Sequence, residues 1–250
     1  MKHPYIFAHR GGMGLCIENT LTCFHKALNY KVGIETDVQL TKDDVLVCFH
    51  DPVFKLNARI YNVANLTYDE LQQLEFPDNR IIPTAHDLFE LISNEHDVRM
   101  SFDIRGKNAG KTLITIAKQY ELVDNIEISD RRMIVLSQLR KFESNIKLIY
   151  TLPEAILKIN DANVNFAKLN KLDVNTINLI SFRANMKNFN EILKQGFECY
   201  VWGLNYKSRL NKIMQMQNED KKVSAIYTDY PDIAISIKNK IEKSSNNIPY

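Results

Sequence analysis

Eight times along the chain a short apolar run is followed by a longer segment of helical character. Parallel strands need a crossover of a dozen or more residues between them, and a helix is the usual way to supply it. The strand-like runs are 5–9, 34–40, 98–104, 133–137, 147–152, 176–180, 199–204 and 224–228. The segments after them are 20–30, 85–94, 111–120, 139–143, a longer irregular stretch 153–172, then 185–195, 208–217 and 232–243. Leu88, Phe89, Leu91 and Ile92 share one side of the second helix, and Gly196 marks the end of the sixth. Eight such pairs in 250 residues predict one domain, an α/β chain closed into a TIM (β/α)8 barrel. Residues 51–83 interrupt the alternation as a small insertion after the second barrel strand. They contain Thr67-Tyr68-Asp69-Glu70, a capping-box spacing, and are expected to fold over one barrel face. The tail 244–250 is polar and expected to be loose.

The charge balance narrows the function. Net charge is +2 and the basic residues are scattered, so no concentrated surface for nucleic acid is expected. No run approaches the roughly 18 apolar residues of a membrane span, and the N-terminus lacks a signal-peptide core. The four cysteines, Cys16, Cys23, Cys48 and Cys199, have no CxxC spacing, and the last two lie in apolar runs that favour buried thiols. The expectation is a cytoplasmic protein without disulfides.

Chemistry-bearing residues concentrate between positions 9 and 51. Glu35 and Asp37 stand two apart in a strand-like run and so leave one face of it. If Asp43-Asp44 form a two-residue hairpin loop, the register places Asp37 directly opposite His50. In a barrel of this kind the site lies at the C-terminal strand ends. His9 ends the first predicted strand, Glu35 and Asp37 the second, Asp103 the third and Trp202 the seventh; Asp229 follows the eighth. His9 suits acid/base work, and Arg10-Gly11-Gly12 beside it suits an anion, because Arg offers a bidentate fork and glycines admit close backbone approach. Glu35, Asp37 and Asp103 are hard oxygen donors without zinc-like Cys or His spacing, which favours one divalent ion, Mg2+ or Ca2+. In a strand outside a barrel the same carboxylates would read as a solvated face; inward charges need partners. His50-Asp51 reads as a second acid/base group with its orienting carboxylate, or as the polar end of a hairpin. Arg105, two after Asp103, is either a phosphate clamp or half of a salt bridge. Glu18 is a minor candidate, and Asn19 or Thr20 caps the first helix. Trp202 and Asn205 offer a wall and a polar contact for an alcohol. His3, His25, His86 and His96 are given no role.

In this order the motifs resemble the glycerophosphodiester phosphodiesterase family. The matching residues are His9-Arg10-Gly11, Glu18-Asn19-Thr20, Phe24 and Ala27, Glu35-Thr36-Asp37-Val38, Thr41-Lys42-Asp43, His50-Asp51, Ile82-Pro83-Thr84, Trp202 with Asn205, and Thr228-Asp229-Tyr230-Pro231. The resemblance implies a TIM barrel and a metal-dependent enzyme that cleaves glycerophosphodiesters to glycerol 3-phosphate and an alcohol. His9 and His50 would be its acid/base pair, Arg10 its phosphate ligand, and Glu35, Asp37 and Asp103 its metal ligands. Four positions depart from the family pattern. Asp103 stands for the usual Glu, shorter by one methylene or about 1.5 Å, Arg105 for Lys, Ile17 for Pro and Gly203 for Thr. Two rival readings are an enzyme acting on lysophospholipid or sphingolipid head groups, similar to spider-venom phospholipases D, and a barrel that binds phosphodiesters without turnover.

Overall fold

The computed structural model describes residues 3–246 apart from 96 and 107, so His96 and the last four residues lie outside the described residues. Strand β1 (Tyr5–Ala8) leads through a 3-10 turn, His9–Gly11, to helix α1 (Leu21–Asn29). Strand β2 (Gly33–Leu40) turns back as the short antiparallel β3 (Leu46–Cys48). The excursion follows as a hairpin, β4 (Val53–Leu56) and β5 (Arg59–Asn62), and helix α2 (Tyr68–Gln72), which carries the capping box read at Thr67 and Glu70. Helix α3 (Ala85–Ile92) returns the chain to β6 (Met100–Ile104). Then come α4 (Ala109–Gln119), β7 (Ile126–Asp130), α5 (Met133–Phe142), β8 (Lys147–Thr151), α6 (Phe166–Lys171), β9 (Thr176–Ile180), α7 (Met186–Lys194), β10 (Glu198–Trp202) and α8 (Lys207–Met214). A two-residue ribbon, β11 (Gln217–Asn218) and β12 (Lys221–Lys222), precedes β13 (Ala225–Thr228) and α9 (Pro231–Asn246). Residues 244–246 thus belong to the last helix instead of a loose tail.

Eight strands pair in parallel, and β1 pairs with both β13 and β2, which closes the barrel. Apolar side chains between sheet and helices form the main core, including Ile34, Phe89, Phe102 and Leu136. Inside the barrel Phe7 stacks on Tyr227 at 5.0 Å between centroids, with Ile149 and Tyr200 beside them. At the N-terminal mouth the filling is ionic. Arg99 Nη2 donates to the buried Glu127 at 2.7 Å, and Lys147 Nζ donates to the Tyr200 hydroxyl at 2.8 Å. The excursion packs its own small core, Phe54, Leu56, Val63 and Leu71, against Val47 and Phe49 of the β2–β3 hairpin.

Three further expectations are corrected. The run 133–137 is the start of α5, and the fourth barrel strand is β7. Glu127 and Ser129 alternate with Ile126 and Ile128 in β7 and weaken its apolar signal, while a short apolar run such as 133–137 suits either helix or strand. The β2–β3 ladder pairs Val38 with Cys48 and Gln39 with Val47, one residue away from the expected register. The loop has three residues, with Asp44 at a φ of +61°, so Asp37 faces Phe49, whose N–H it accepts, and His50 lies past the ladder. Finally, Cys16 and Cys23 are joined by a disulfide, which removes the disulfide-free premise behind the reducing compartment. Cys48 and Cys199 are free and buried, as expected. Among the described residues no helix is long and apolar enough to cross a membrane.

Candidate active site

His9, Arg10, Glu35, Asp37, His50, Asp103, Arg105 and Trp202 all line one cavity of about 470 Å³ at the C-terminal end of the barrel. The turn after β1 puts His9 and Arg10 there. Arg10 has a φ of +51°, Gly11 of +81° and Gly12 of +99°. A side chain on Gly11 would also meet Cys23 Cβ at 2.9 Å, so the glycine is required by both backbone and space. The disulfide lies directly under this turn, and the Cys16 sulfur rests 3.4 Å from the Gly12 carbonyl oxygen. Thr20 caps α1 by accepting the Cys23 N–H, so Asn19 is free for another task. Its side chain takes the Thr36 hydroxyl at 2.7 Å and donates to Asp37 at 3.3 Å.

His9 is held at Nδ1 by Asp229 at 2.6 Å, with Nε2 3.9 Å from Glu35. Asp229 accepts from the Asn205 amide and returns its backbone N–H to Asn205 Oδ1 at 3.0 Å. Asn205 therefore positions Asp229 and is not among the cavity's lining residues. Burial disfavours the His9 imidazolium, and the charges of Glu35 and Asp229 outweigh it, so its pKa lies above the ordinary value. His50 is held the same way, Nδ1 to Asp51 at 2.6 Å.

The carboxylates divide by environment. Burial pushes Glu35 up to about 7 against the pull of His9, although the Arg10 N–H donates to it at 2.8 Å. Burial acts on Asp37 too, but Arg105, His50 and Arg10 override it and hold its pKa below the usual range. Arg105 donates to Asp37 Oδ1 through Nε at 3.0 Å and Nη2 at 2.8 Å, and the same Nη2 stands 2.9 Å from Asp103. Asp103 is Asp37's direct neighbour across β2 and β6, and burial lifts it to about 6. Arg105 thus forms the salt bridge that its spacing from Asp103 allowed. Arg10 Nη1 donates to Glu18 at 2.7 Å, and Arg80 of the excursion reaches the same carboxylate at 3.7 Å, tying the excursion to the first loop.

Asp130 was not singled out from sequence. It ends β7, lines the cavity and pairs with Arg132 at 2.7 Å. Its signal, a carboxylate at a strand end, was hidden by the misplaced fourth strand. Trp202 forms part of the wall, and its buried indole N–H has no hydrogen-bond partner among the described residues. Gly203 after it has a φ of +70°, a conformation that the β-branched Thr common at this place would resist.

As a donor set, three hard carboxylates on adjacent strands suit a divalent cation, and the raised Glu35 and Asp103 are groups that a positive charge would settle. Among the described residues they do not draw together into a group of three around one point, and the Arg105 guanidinium spans Asp37 and Asp103.

Known proteins give the same outline. The sequence profile of the Glycerophosphoryl diester phosphodiesterase family matches residues 9–233. YhdW of Bacillus subtilis (strain 168) is 27% identical over 92% of this chain and 96% of its own. Human lysophospholipase D GDPD1 is 23% identical over 90% of this chain and 82% of its own. In structure, an Oleispira antarctica phosphodiesterase solved in complex with the product sn-glycerol-3-phosphate superposes with a TM-score of 0.79 at 21% identity, covering 95% of this chain and 97% of the other. That likeness establishes the barrel, and the profile covers nearly all of it: this chain belongs to the glycerophosphoryl diester phosphodiesterase family of enzymes.

Proposed function

We propose that the enzyme hydrolyses glycerophosphodiesters such as glycerophosphocholine or glycerophosphoethanolamine to glycerol 3-phosphate and an alcohol, with His9 and His50 as the acid/base pair. One observation carries the reading. Two imidazoles line one cavity, each held at Nδ1 by its own aspartate, which leaves Nε2 of each ring for substrate. Phosphodiester cleavage needs a proton removed from the nucleophile and one given to the leaving alkoxide, and two such rings divide that work. Asp229 and Asp51 fix the rings, and Asp229 favours the charged form of His9. Arg10 and Arg105 are the cavity's donors for the non-bridging oxygens, and Trp202 walls the site on the alcohol side. Glu35, Asp37 and Asp103 would hold one Mg2+ or Ca2+, which when bound supplies charge neutralisation at the phosphate. Asp103 and Arg105 stand where the family pattern has Glu and Lys, so a shorter ligand and a two-pronged cation share the place, and weaker metal binding is the expected result.

Turnover of glycerophosphocholine with Mg2+ or Ca2+, before and after chelation, tests this reading. His9→Ala and His50→Ala should each lower kcat about 10²–10⁴-fold while the fold is kept. Full activity in both would sink the mechanism, and tight binding without turnover under either metal would favour a binding protein. The similarity to a human lysophospholipase D supports a second reading, a substrate with an acyl chain on its glycerol. The same assay with lysophosphatidylcholine separates the two.

A further inference from the structure

The large apolar side chains left in solvent are not spread over the molecule. Ile60, Ile81, Leu157, Phe182 and Tyr206 are between 54% and 77% exposed. All five lie on segments that leave the C-terminal ends of barrel strands: the excursion after the β2–β3 hairpin and the loops after β8, β9 and β10. They therefore lie on segments at the same barrel end as the cavity that holds His9 and His50. Of the other exposed large apolar residues, only Phe142 sits at the far end of a helix, next to the N-terminal barrel face. Scattered single apolar residues need no explanation, but a set gathered at one end of the barrel does.

Their neighbours in the chain share a charge. Arg59 precedes Ile60, Arg80 precedes Ile81, Lys158 follows Leu157, Arg183 follows Phe182 and Lys207 follows Tyr206. Arg80 is engaged by Asp78 and Glu18, and Arg183 lies over the Phe182 ring at 4.7 Å. Arg59, Lys158 and Lys207 are exposed and form no ion pair among the described residues. An apolar tip beside an unspent cation is complementary to an anionic lipid surface. The apolar group enters the acyl boundary while the cation stays at the head groups.

We propose that the C-terminal rim is a membrane-docking surface, and that its partner is an anionic phospholipid bilayer, which the active-site mouth would face. This is a statement about binding and stands whether or not the enzyme acts as proposed above.

The test is co-sedimentation of the full chain with vesicles of phosphatidylcholine, and of phosphatidylcholine mixed with phosphatidylglycerol. Wild-type protein should sediment with the mixed vesicles and much less with the neutral ones. K158Q/K207Q should weaken binding to the mixed vesicles about thirtyfold, from roughly 1 kcal/mol for each lysine near the surface. Ile60→Ser/Phe182→Ser should weaken it about tenfold, and added salt should not restore it. Both variants should keep wild-type turnover of a water-soluble phosphodiester, which reports that they fold. Failure of the wild type to bind mixed vesicles would overturn the proposal. So would apolar variants that bind like wild type, or a concentration-dependent dimer that these substitutions abolish and vesicles do not compete with. Loss of turnover in the His variants, by contrast, leaves vesicle binding unchanged, so the two readings fail separately.

Discussion

Glu35 is a carboxylate with almost no contact with water, and burial raises it to about 7. Its ionised form is therefore disfavoured in the folded chain compared with the unfolded one. The folded state keeps its proton where the unfolded state has already lost it, between about 4.5 and 7, so stability falls as pH rises through that window. Asp103, raised to about 6, acts in the same direction. His9 does too, since the stabilisation of a raised imidazolium is complete below its unfolded value and lost as pH rises through the folded one. Asp37 runs the other way, and its contribution is lost only as pH falls through a pKa below the carboxylate range. In chelator, the wild type should lose about 3 kcal/mol between pH 5 and 8, mostly through Glu35. Glu35→Gln should flatten that slope, and adding Ca2+ or Mg2+ at pH 8 should raise the Tm of the wild type but not of the variant. A slope unchanged by Glu35→Gln, measured by urea unfolding across the range, would refute this account. At this scale much could be read from sequence, because the residues that line the cavity stood in short motifs at strand ends. The hold of Asp229 on His9 was not foreseen. The two are 220 residues apart, and only barrel closure between β1 and β13 brings them together.

The first βα loop shows what one element adds to its residues. The turn that places His9 and Arg10 runs through three consecutive residues at positive φ, held within the turn by the Gly12 and Met13 N–H groups on the His9 carbonyl. It is secured from below by the Cys16–Cys23 disulfide and from the side by Glu18, which holds Arg10 and Arg80. Cysteine spacing gave no sign of the pairing, since seven residues matched no familiar pattern and only the path from loop to helix brings the sulfurs together. The β2–β3 register was missed for a related reason. A loop of three residues ending at positive φ is as compatible with Lys42-Asp43-Asp44 as one of two, and one residue shifts the whole ladder. His50 still reaches the cavity because it lies past the ladder, where register no longer dictates its direction. The disulfide carries a prediction. Closing so short a loop restricts the unfolded chain enough to stabilise by about 2 kcal/mol. Cys16→Ser/Cys23→Ser should lower the Tm accordingly and reduce kcat/KM through a looser Arg10 turn. Reductant should reproduce both effects in the wild type and change nothing in the double variant. A wild-type Tm indifferent to reductant would show that the turn does not depend on the bond.

Across the whole molecule the barrel separates two kinds of charge. At the C-terminal end acids and bases line an open cavity with their pKa values driven apart. At the N-terminal mouth Glu127, buried at the start of β7, meets Arg99 at 2.7 Å and Lys147 at 3.4 Å beneath the aromatic filling of Phe7, Tyr200 and Tyr227. Arg99 also lies over the Tyr5 ring at 4.4 Å, so one guanidinium joins the ionic and aromatic layers. The same alternation that places Glu127 inside β7 disguised that strand in the sequence, because a polar inward residue breaks the apolar run by which buried strands are recognised. The architecture was legible because the other seven barrel strands kept enough apolar residues to stand out, even where β2 and β6 carry inward carboxylates. If the division of labour holds, the lower network contributes to stability and not to chemistry. Removing the charge of Glu127 leaves two cations facing each other beside a buried amide, at a cost of about 3 kcal/mol. Glu127→Gln should therefore shift the urea midpoint strongly, while kcat and KM measured well below the new Tm stay within about twofold of wild type. Replacing Arg99 as well, in Arg99→Met/Glu127→Leu, should recover much of the loss, because an apolar pair of similar volume needs no counter-charge. A variant that kept its urea midpoint but lost turnover would instead mean that the N-terminal mouth communicates with the site through the aromatic filling between them.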